Sequence, residues 1–362
     1  MILLNRIELK GFKSIREMEL DLKSLNILIG ANGSGKSNLL SFFKLLNFIT
    51  SKNLQEHVAK YGGADKLLHY GAKRTPQMEG TLYFSTDMGS NLYHMILTKA
   101  SGDTLIFTDE QVCLQRSHNN SERFSFAGHR ETLLKEDNDN TVRMILDIME
   151  QFRFYQFHDT SENAKIKQNA YVNDNLYLRS DAGNLAAYLY LLKNKHESHY
   201  RKIIATIHQI APFFDDFILR PLKSNENYIN LDWNEKGSDM IFDVNQLSDG
   251  TLRMMALITL LLQPELPHLM IIDEPELGLH PYAINILASL LKGASVRTQL
   301  IVSTQSVSLV NNFEPEDLII VNRMEGQSTF KRVDKSKLEE WLDEYTLGEL
   351  WEKNVIGGRP SI

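Results

Sequence analysis

The sequence contains a single cysteine, Cys113, among its 362 residues. One cysteine cannot form a disulfide within the chain, so the hydrophobic core must stabilise the fold, and a reducing cytoplasm suits such a protein. We therefore expect Cys113 to serve in ordinary packing. With 43% hydrophobic and 23% charged residues, the composition is that of a soluble globular protein of one or two domains.

Long apolar runs and a surplus of positive charge are also missing. The run Leu252–Leu262 is interrupted by Arg253 and closely followed by Pro264, which is too short for a membrane span, and Arg6 comes too early for a signal-peptide core. Lys and Arg total 39 against 46 Asp and Glu, so the net charge is −7. We expect a cytoplasmic protein with no membrane partner, which contacts DNA or RNA only through local basic patches. The best such patch is the run 193–202, which a solvated helix face explains more simply.

The segment Gly30–Ser37 fits the phosphate-binding pattern G-x-x-x-x-G-K-[ST]. It follows the apolar strand Leu25–Ile29 and precedes a helical run, where glycines form a nest of N–H donors and the helix directs its positive end at phosphate. Lys36 is expected to reach the β- and γ-phosphates and Ser37 to bind Mg²⁺. A glycine-rich turn without a ligand is the alternative, which the flanking strand and helix disfavour. The predicted nucleotide-binding residues are Gly30, Ala31, Asn32, Gly33, Ser34, Gly35, Lys36, Ser37 and Asn38.

A second motif combines an apolar strand with two carboxylates. Leu269–Ile272 leads directly into Asp273 and Glu274, as in a Walker B element. A buried strand of this kind would deliver Asp273 to the Mg²⁺ shell and leave Glu274 to orient or deprotonate the attacking water. A simple strand end would also explain the pair, but the phosphate-binding segment upstream favours the catalytic interpretation.

The pattern of strands and helices divides the chain into five parts. Residues 1–80 are predicted to form the first half of a nucleotide-binding lobe, 81–129 an antiparallel β arm, and 130–217 a helical insertion. Residues 218–345 alternate strands with helices, which predicts a parallel sheet wrapped by helices, and 346–362 form a C-terminal tail. The predicted fold class is therefore α/β with a mainly parallel core sheet.

Leu247-Ser248-Asp249-Gly250-Thr251 lies 25 residues before Asp273, counted from Ser248. It matches the ABC signature Leu-Ser-Gly-Gly-Gln at three positions and departs from it at Asp249 and Thr251. Ser248 and Gly250 at a helix N-terminus would form an anion site. A serine cap followed by a turn glycine is the simpler alternative, but the order and spacing relative to Asp273 favour the signature.

These motifs together resemble the prokaryotic ABC-class ATPases of the RecF, SMC and OLD type, which are often grouped with AAA-type ATPases. Other segments that carry the resemblance are Ile7–Ser14, Asn26–Gly30, Asp273–Pro281, Ser303–Ser306, Leu347–Trp351 and Gly357–Pro360. Residues 81–240 resemble the family only in layout. The chain is similar to compact standalone members, because it lacks the heptads of long coiled-coil arms and leaves too little sequence after Val321 for a TOPRIM-like domain.

The resemblance implies the ABC-type head of P-loop NTPases, ATP and Mg²⁺ as cofactors, and a homodimer. Each ATP would lie between the P-loop of one subunit and Ser248, Asp249 and Gly250 of the other. Glu276–His280 would form the D-loop at the dimer seam, although His280 is equally well explained as a turn histidine before a helix that starts with proline.

Two glutamines complete the implied site. Gln305 stands where transporter-like relatives carry a switch histidine, and its amide can donate to a γ-phosphate oxygen but cannot share a proton, so we expect slow or partner-stimulated hydrolysis. Gln77 is the candidate metal contact of the Q-loop, unless it is a solvated loop residue. Lys13 and Ser14 would face the nucleotide base or lie on the surface.

The function that these expectations predict is an ATP-hydrolysing dimeric switch. By resemblance it would control a nucleic-acid-directed activity in genome maintenance or anti-phage defence, through a separately encoded nuclease or toxin. The alternatives are the ATPase subunit of a membrane transporter and a nucleotide-dependent scaffold with little turnover. The β arm, the diverged signature and Gln305 argue against the transporter.

Overall fold

The computed structural model describes residues 2–86, 89–117 and 120–358, within which the chain forms eighteen strands and ten α-helices. The strands are β1 (Leu3–Phe12), β2 (Ile15–Asp21), β3 (Leu25–Ile29), β4 (Gln77–Thr86), β5 (Gly89–Ala100), β6 (Thr104–Ser117), β7 (Asn120–Phe126), β8 (Phe152–Tyr155), β9 (Ala170–Tyr171), β10 (Phe214–Ile218), β11 (Pro221–Leu222), β12 (Asn225–Ile229), β13 (Asp232–Glu235), β14 (Ile241–Phe242), β15 (Leu269–Asp273), β16 (Gln299–Thr304), β17 (Leu318–Met324) and β18 (Gln327–Arg332). The helices are α1 (Lys36–Thr50), α2 (Leu54–Lys60), α3 (Asn140–Glu150), α4 (Leu185–Lys195), α5 (Glu197–Ile210), α6 (Asp249–Leu262), α7 (Pro281–Ser295), α8 (Val307–Val310), α9 (Glu339–Leu342) and α10 (Leu347–Glu352).

The contacts between residues separate the described chain into two compact units. The first unit comprises the described residues of Met1–Phe154, Pro267–Asp273 and Thr298–Ile362. The second unit comprises Tyr155–Leu266 and Glu274–Arg297. Each unit therefore draws on segments that are distant in sequence.

The first unit contains a six-stranded antiparallel sheet in the order β2-β1-β4-β5-β6-β7. In β5 every second residue from Asn91 to Leu97 is buried, which is the alternation of a sheet packed on one face. Residues 81–129, predicted as a β arm, supply β4 to β7, and β4 pairs with β1 over most of its length. The predicted arm and the N-terminal strands are thus parts of one sheet.

A second six-stranded sheet, the core sheet, has the order β18-β17-β3-β16-β15-β8. Strands β17, β3, β16 and β15 are parallel to one another, and β18 is antiparallel to β17. All of β3 and residues Leu269–Ile272 of β15 are buried, as expected for parallel strands covered on both faces. The predicted α/β fold with a mainly parallel core sheet is confirmed.

Helix α1 lies in the hydrophobic core of the first unit. Phe42 of α1 makes an edge contact with Phe12 of β1 at a centroid distance of 5.7 Å, and Phe43 does the same with Phe152 of β8 at 6.1 Å. All four rings are buried in the same cluster. The helix that starts at the P-loop is therefore fixed against both sheets by apolar packing.

The second unit is mainly helical, with two three-stranded sheets, β10-β13-β14 and β11-β12-β9. Its helix α6 spans 14 residues and is buried from Met254 to Leu261, with α5 and α7 beside it. Region 130–217, predicted as a helical insertion, contains α3, α4 and α5 and also β8, the edge strand of the core sheet. Among the helices that the structure describes, none is long and apolar enough to span a membrane.

A buried glutamine joins β1 to β16. The Gln299 side chain is 1% exposed, and its Oε1 accepts the Leu4 N–H at 2.9 Å. Its Nε2 donates to the carbonyl oxygens of Leu4 and Lys23, each at 2.9 Å. One amide thus satisfies three buried backbone groups that would otherwise carry a desolvation cost.

Replacing this amide with a hydrocarbon is expected to destabilise the first unit. Gln299→Leu keeps the volume but leaves the three backbone groups unpaired, so the free energy of unfolding should fall by about 2 to 4 kcal/mol. Denaturant titration followed by circular dichroism measures the change. The matched control is Gln209→Leu at an exposed position of α5, which should be nearly neutral. Equal midpoints for the two variants would contradict the assigned role.

Candidate functional site

Three neighbouring parallel strands end together at one edge of the core sheet. In their register Asp273 of β15 lies opposite Ser303 of β16, and Ser303 lies opposite Leu28 of β3. The P-loop begins at Gly30 directly after β3, and Gln305 directly follows β16. Because carboxyl ends of parallel strands share one edge, three of the predicted site segments leave the sheet side by side.

Two glycines of the P-loop are required by their surroundings. A Cβ atom at Gly30 would collide with the carbonyl oxygen of Val321 in β17. Gly35 has a φ of 115°, and its Cβ would collide with the Ser328 hydroxyl of β18. Glycine at position 30 lets the loop pass this close to β17, and glycine at position 35 also permits the left-handed conformation beside β18.

The polar groups of the P-loop suit a triphosphate and its metal ion. Lys36 is 5% exposed, and its Nζ donates to the carbonyl oxygens of Gly30 and Ala31, the latter at 3.2 Å. Ser37 is exposed at the start of α1. The Ser34 hydroxyl is buried, and among the described residues it has no hydrogen-bond partner. A buried ammonium, an accessible hydroxyl and an unsatisfied buried hydroxyl are groups that phosphate oxygens and Mg²⁺ would satisfy.

A chain of side-chain hydrogen bonds holds the P-loop against the strands beside it. Asn38 Nδ2 donates to Ser14 Oγ at 2.6 Å, and Ser14 Oγ lies 2.6 Å from Ser328 Oγ. Ser328 Oγ in turn donates to the carbonyl oxygen of Ser34 at 2.6 Å. Ser14 therefore contacts the first turn of α1, which places it beside the predicted nucleotide site.

Lys13 points along α1 rather than toward the P-loop. Its Nζ donates to Ser41 Oγ and lies 4.3 Å from the centre of the Tyr61 ring. Burial and the nearby Lys44 ammonium lower the pKa of Lys13 to about 8. Lys44 is also half-buried, with its Nζ 3.6 Å from the centre of the Phe154 ring, and burial lowers its pKa although Asp273 opposes the shift.

The two carboxylates of the predicted Walker B element differ in backbone conformation. Asp273 is the last residue of β15 and takes part in its pairing with β16. Glu274 has a φ of 43°, a left-handed value that is uncommon for a residue with a side chain. Such conformations persist where the surrounding structure enforces them, and they are frequent at functional sites. The Ser303 hydroxyl, opposite Asp273, is buried and has no hydrogen-bond partner among the described residues.

Ser248 caps α6 in the second unit. Its Oγ accepts the Thr251 N–H at 3.2 Å, and both Ser248 and Asp249 are exposed. Lys167 Nζ lies 3.1 Å from Asp249 Oδ1 and offsets its charge. The capping role of Ser248 is thus a feature of the fold, while its contact with the nucleotide of a second subunit stays a prediction.

Gly250 packs against the turn that follows Glu274. A Cβ atom at Gly250 would lie 2.6 Å from the carbonyl oxygen of Gly278, so a side chain does not fit. The same turn ends at His280, whose Nδ1 accepts the Tyr282 N–H at 3.3 Å and caps α7. His280 therefore has the structural role of a helix cap ahead of a proline-started helix.

Residues 25–311 match the family model described as "AAA domain, putative AbiEii toxin, Type IV TA system". The chain belongs to this AAA family. A segment of 88 residues is 32% identical to the chromosome partition protein Smc of Methanocaldococcus jannaschii, covering 24% of this chain and 7% of the length of that relative. The chain thus spans only a small part of the curated relative that it matches.

Solved SMC heads share the fold of this AAA-family chain. An SMC head bound to the C-terminal winged-helix domain of ScpA aligns with a TM-score of 0.61 at 17% identity, covering 93% of this chain and 99% of that one. An SMC head with an extended coiled coil from Pyrococcus furiosus, bound to the C-terminal domain of ScpA, aligns with a TM-score of 0.60 at 16% identity, covering 95% and 99%. The predicted resemblance to ABC-class P-loop ATPases of the SMC type is confirmed.

Sequence reasoning missed the arginine that organises the second unit of this AAA-family chain. The Arg253 guanidinium donates to the carbonyl oxygens of Phe157, His158 and Leu277 at 3.0, 2.8 and 2.9 Å, and to Thr160 Oγ1 at 3.0 Å. It thereby joins α6 to the segment after β8 and to the turn after Glu274. The available signal was the position of Arg253 itself, a charge near the start of an otherwise apolar helix.

The predicted metal contact Gln77 belongs to the antiparallel sheet and not to the core sheet. It is the exposed first residue of β4, in the antiparallel sheet, where it pairs with Thr98. A different glutamine, Gln156, directly follows β8, the strand beside β15 in the core sheet. No local pattern in the sequence indicates that Gln156 lies near β15, because β8 and β15 are far apart along the chain.

A conservative change at Arg253 should loosen both segments that it holds. Arg253→Lys retains the charge, but one ammonium cannot reproduce the planar set of donors that reaches four acceptors. Hydrogen–deuterium exchange should therefore rise in residues 157–160 and 275–280. The control is Arg201→Lys, whose exposed pair with Glu197 contributes little. Unchanged exchange in both segments would show that other contacts hold them.

Proposed function

We propose that the protein binds Mg²⁺–ATP and hydrolyses it as a cytoplasmic homodimeric switch. Residues 30–38 hold the phosphates, Ser37 and Asp273 bind the metal, and Glu274 activates the attacking water. Ser248, Asp249 and Gly250 of the second copy contact the terminal phosphate of the same nucleotide. Closure of the two copies depends on ATP, because only the triphosphate joins both halves of each site.

The observation that carries this proposal is the shared carboxyl edge of β3, β16 and β15. That edge collects the P-loop, Gln305 and Asp273, which are the phosphate-binding, γ-phosphate-sensing and metal-binding groups of the proposed reaction. Among the described residues there is no cluster of three or more His, Cys, Asp or Glu side chains suited to a metal ion. This fits a Mg²⁺ ion that is held by one carboxylate, one hydroxyl, phosphates and water.

Gln156 is a stronger candidate for the remaining metal contact than Gln77. It comes immediately after β8, which is next to the strand that carries Asp273. Gln77 would have to act from the antiparallel sheet, where it begins β4.

The exposed N-terminus of α6 supports the shared site. Ser248 is accessible, and the positive end of a 14-residue helix favours phosphate. Asp249 would repel a phosphate where related signatures have glycine, but Lys167 offsets this charge. The diverged signature thus keeps a local charge balance that is compatible with ATP.

The proposed output is control of a separate effector protein, a nuclease or a toxin, in defence or genome maintenance. The family description names a toxin and a toxin–antitoxin system, and the matched relative is named as a chromosome partition protein. Two related heads were solved with a domain of a partner protein. Direct nucleic-acid binding by the run 193–202 is less favoured, because Lys193 pairs with Asp216 at 2.8 Å and Arg201 with Glu197 at 2.5 Å.

Two active-site variants separate an enzyme from a scaffold. Glu274→Gln should retain ATP binding and lower turnover on the order of 100-fold or more, because the base is removed while the phosphate site is intact. Lys36→Ala should lose nucleotide binding. Phosphate release and fluorescent-nucleotide binding are the measurements. Wild-type turnover no higher than that of Glu274→Gln would support the scaffold instead.

The shared site has its own test in Ser248→Arg. This variant should bind ATP as a monomer as well as wild type does, but fail to dimerise and to hydrolyse, because the bulky cation blocks the contact with the second copy. Mixing it with Lys36→Ala should restore part of the activity, since one site of the mixed dimer contains both intact halves. Loss of nucleotide binding by Ser248→Arg alone would be inconsistent with a site shared between subunits. Recovery of activity only after co-purification with a membrane protein would instead favour a transporter subunit.

A further inference from the structure

The C-terminal strap, defined here as residues 346–358, contacts the start of the P-loop. The Ala31 N–H donates to the carbonyl oxygen of Gly358 at 2.8 Å. The Gly358 N–H donates to Asn322 Oδ1 of β17 at 2.8 Å. One peptide segment of the strap is thus anchored on both sides, by the P-loop and by the adjacent strand of the core sheet. Arg359 and Pro360, the last part of the resemblance, lie outside the described residues.

The strap also packs against the segment that follows Gln305. Helix α10 lies beside α8, and the Gly348 N–H donates to Asn311 Oδ1 at 2.6 Å. A Cβ atom at Gly348 would collide with Val307 of α8, so α10 approaches α8 as closely as the backbone permits. Leu347, Leu350 and Trp351 are buried on the same helix, which fixes α10 in this position.

The P-loop, the segment after β16 and the strap line an open cavity of about 230 Å³. Its lining residues are Gly30 and Ala31 of the P-loop, Gln305 and Val307 of the segment after β16, and Trp351, Glu352 and Gly358 of the strap. Gly358 has a φ of +93°, and a Cβ atom there would lie 2.8 Å from Trp351 Nε1. That indole nitrogen is buried and has no hydrogen-bond partner in the described part of the chain, so its contact with Gly358 is one of packing.

We propose that the C-terminal strap positions Gln305 and the start of the P-loop for ATP hydrolysis, with Trp351 and Gly358 as positioning residues. This inference rests on the proposed function and adds a part of the chain that the sequence motifs do not include. The strap joins the two segments through the hydrogen bond from Ala31 to Gly358 on one side and through the contacts of Gly348 with Val307 and Asn311 on the other. A shift of the strap would therefore move Gln305 relative to the P-loop.

The expected consequence is a loss of turnover without a comparable loss of binding. Of the residues proposed to hold the phosphates, the strap is hydrogen-bonded to Ala31 and lies beside Gly30, whereas Asn32 to Asn38 make no described hydrogen bond with it. Most of the groups that set nucleotide affinity therefore stay in place when the strap moves. Gln305 contributes to hydrolysis only if its amide reaches the γ-phosphate while negative charge develops on the phosphate oxygens in the transition state. A hydrogen-bond donor in this role must be held in a fixed position. Displacement of the strap should thus lower kcat and leave the dissociation constant for ATP nearly unchanged.

The test is Gly358→Ala in the full chain, compared with Gly102→Ala. The added methyl at 358 meets Trp351, whereas Gly102 has a similar φ of +76° and open space around it. Both variants place alanine at a positive φ, so the main difference between them is the contact of the added methyl with Trp351. We expect Gly358→Ala to lower kcat on the order of 10-fold, while Gly102→Ala behaves as wild type. If Gly358→Ala does not fold, Asn322→Ala, which removes only the anchor of the Gly358 N–H, should show a smaller effect of the same kind.

A double-mutant cycle decides whether the strap acts through Gln305. In a Gln305→Ala background, Gly358→Ala (or Asn322→Ala, where that variant stands in for it) should cause little further loss of kcat, because the group that the strap positions is already gone. Three outcomes would overturn the inference while leaving the proposed function intact. The losses of kcat from the two substitutions could be additive, the strap variant could lose ATP binding as strongly as it loses kcat, or its activity could equal that of Gly102→Ala. A wild-type protein that does not hydrolyse ATP at all would overturn both.

Discussion

Strand order in the core sheet is the constraint on which the candidate site depends. Asp273, Ser303 and Leu28 share one register across β15, β16 and β3, so the segments that follow these strands emerge together. Hydrophobic burial favours this order, because all three strands are mainly apolar and covered on both faces, and each has a neighbouring strand on either side in the core sheet. The position of the candidate site is therefore set by packing within the core sheet.

Short motifs and their flanking strands and helices were readable from the sequence. The P-loop and the strand ending in Asp273 were predicted because their function needs particular residues within a few positions of one another. The fold class followed from the alternation of strands and helices near both ends of the chain. Each of these predictions rests either on contacts between residues that are close in sequence or on the alternation of strands and helices along the chain.

Features that depend on distant contacts were not predictable in the same way. The position of Gln156 beside the core sheet follows from the placement of β8 next to β15, and the pairing of β4 with β1 joins the predicted arm to the N-terminal strands. The contact between Gly358 and Ala31 joins the far end of the chain to its first motif. Arg253 was visible only as an interruption of an apolar run, and its four acceptors belong to segments on both sides of it in sequence.

The close approach of Gly250 to Gly278 limits how this family member can change. A side chain at position 250 is excluded by the carbonyl oxygen opposite, and Gly278 needs its φ of +75° to present that oxygen. Both positions are thus closed to sequence drift, whereas Asp249 is exposed and accepts any side chain that its surroundings tolerate. Within the predicted signature, the packing therefore leaves room for substitution beside the glycine, and Asp249 and Thr251 are the two positions at which this chain departs from Leu-Ser-Gly-Gly-Gln.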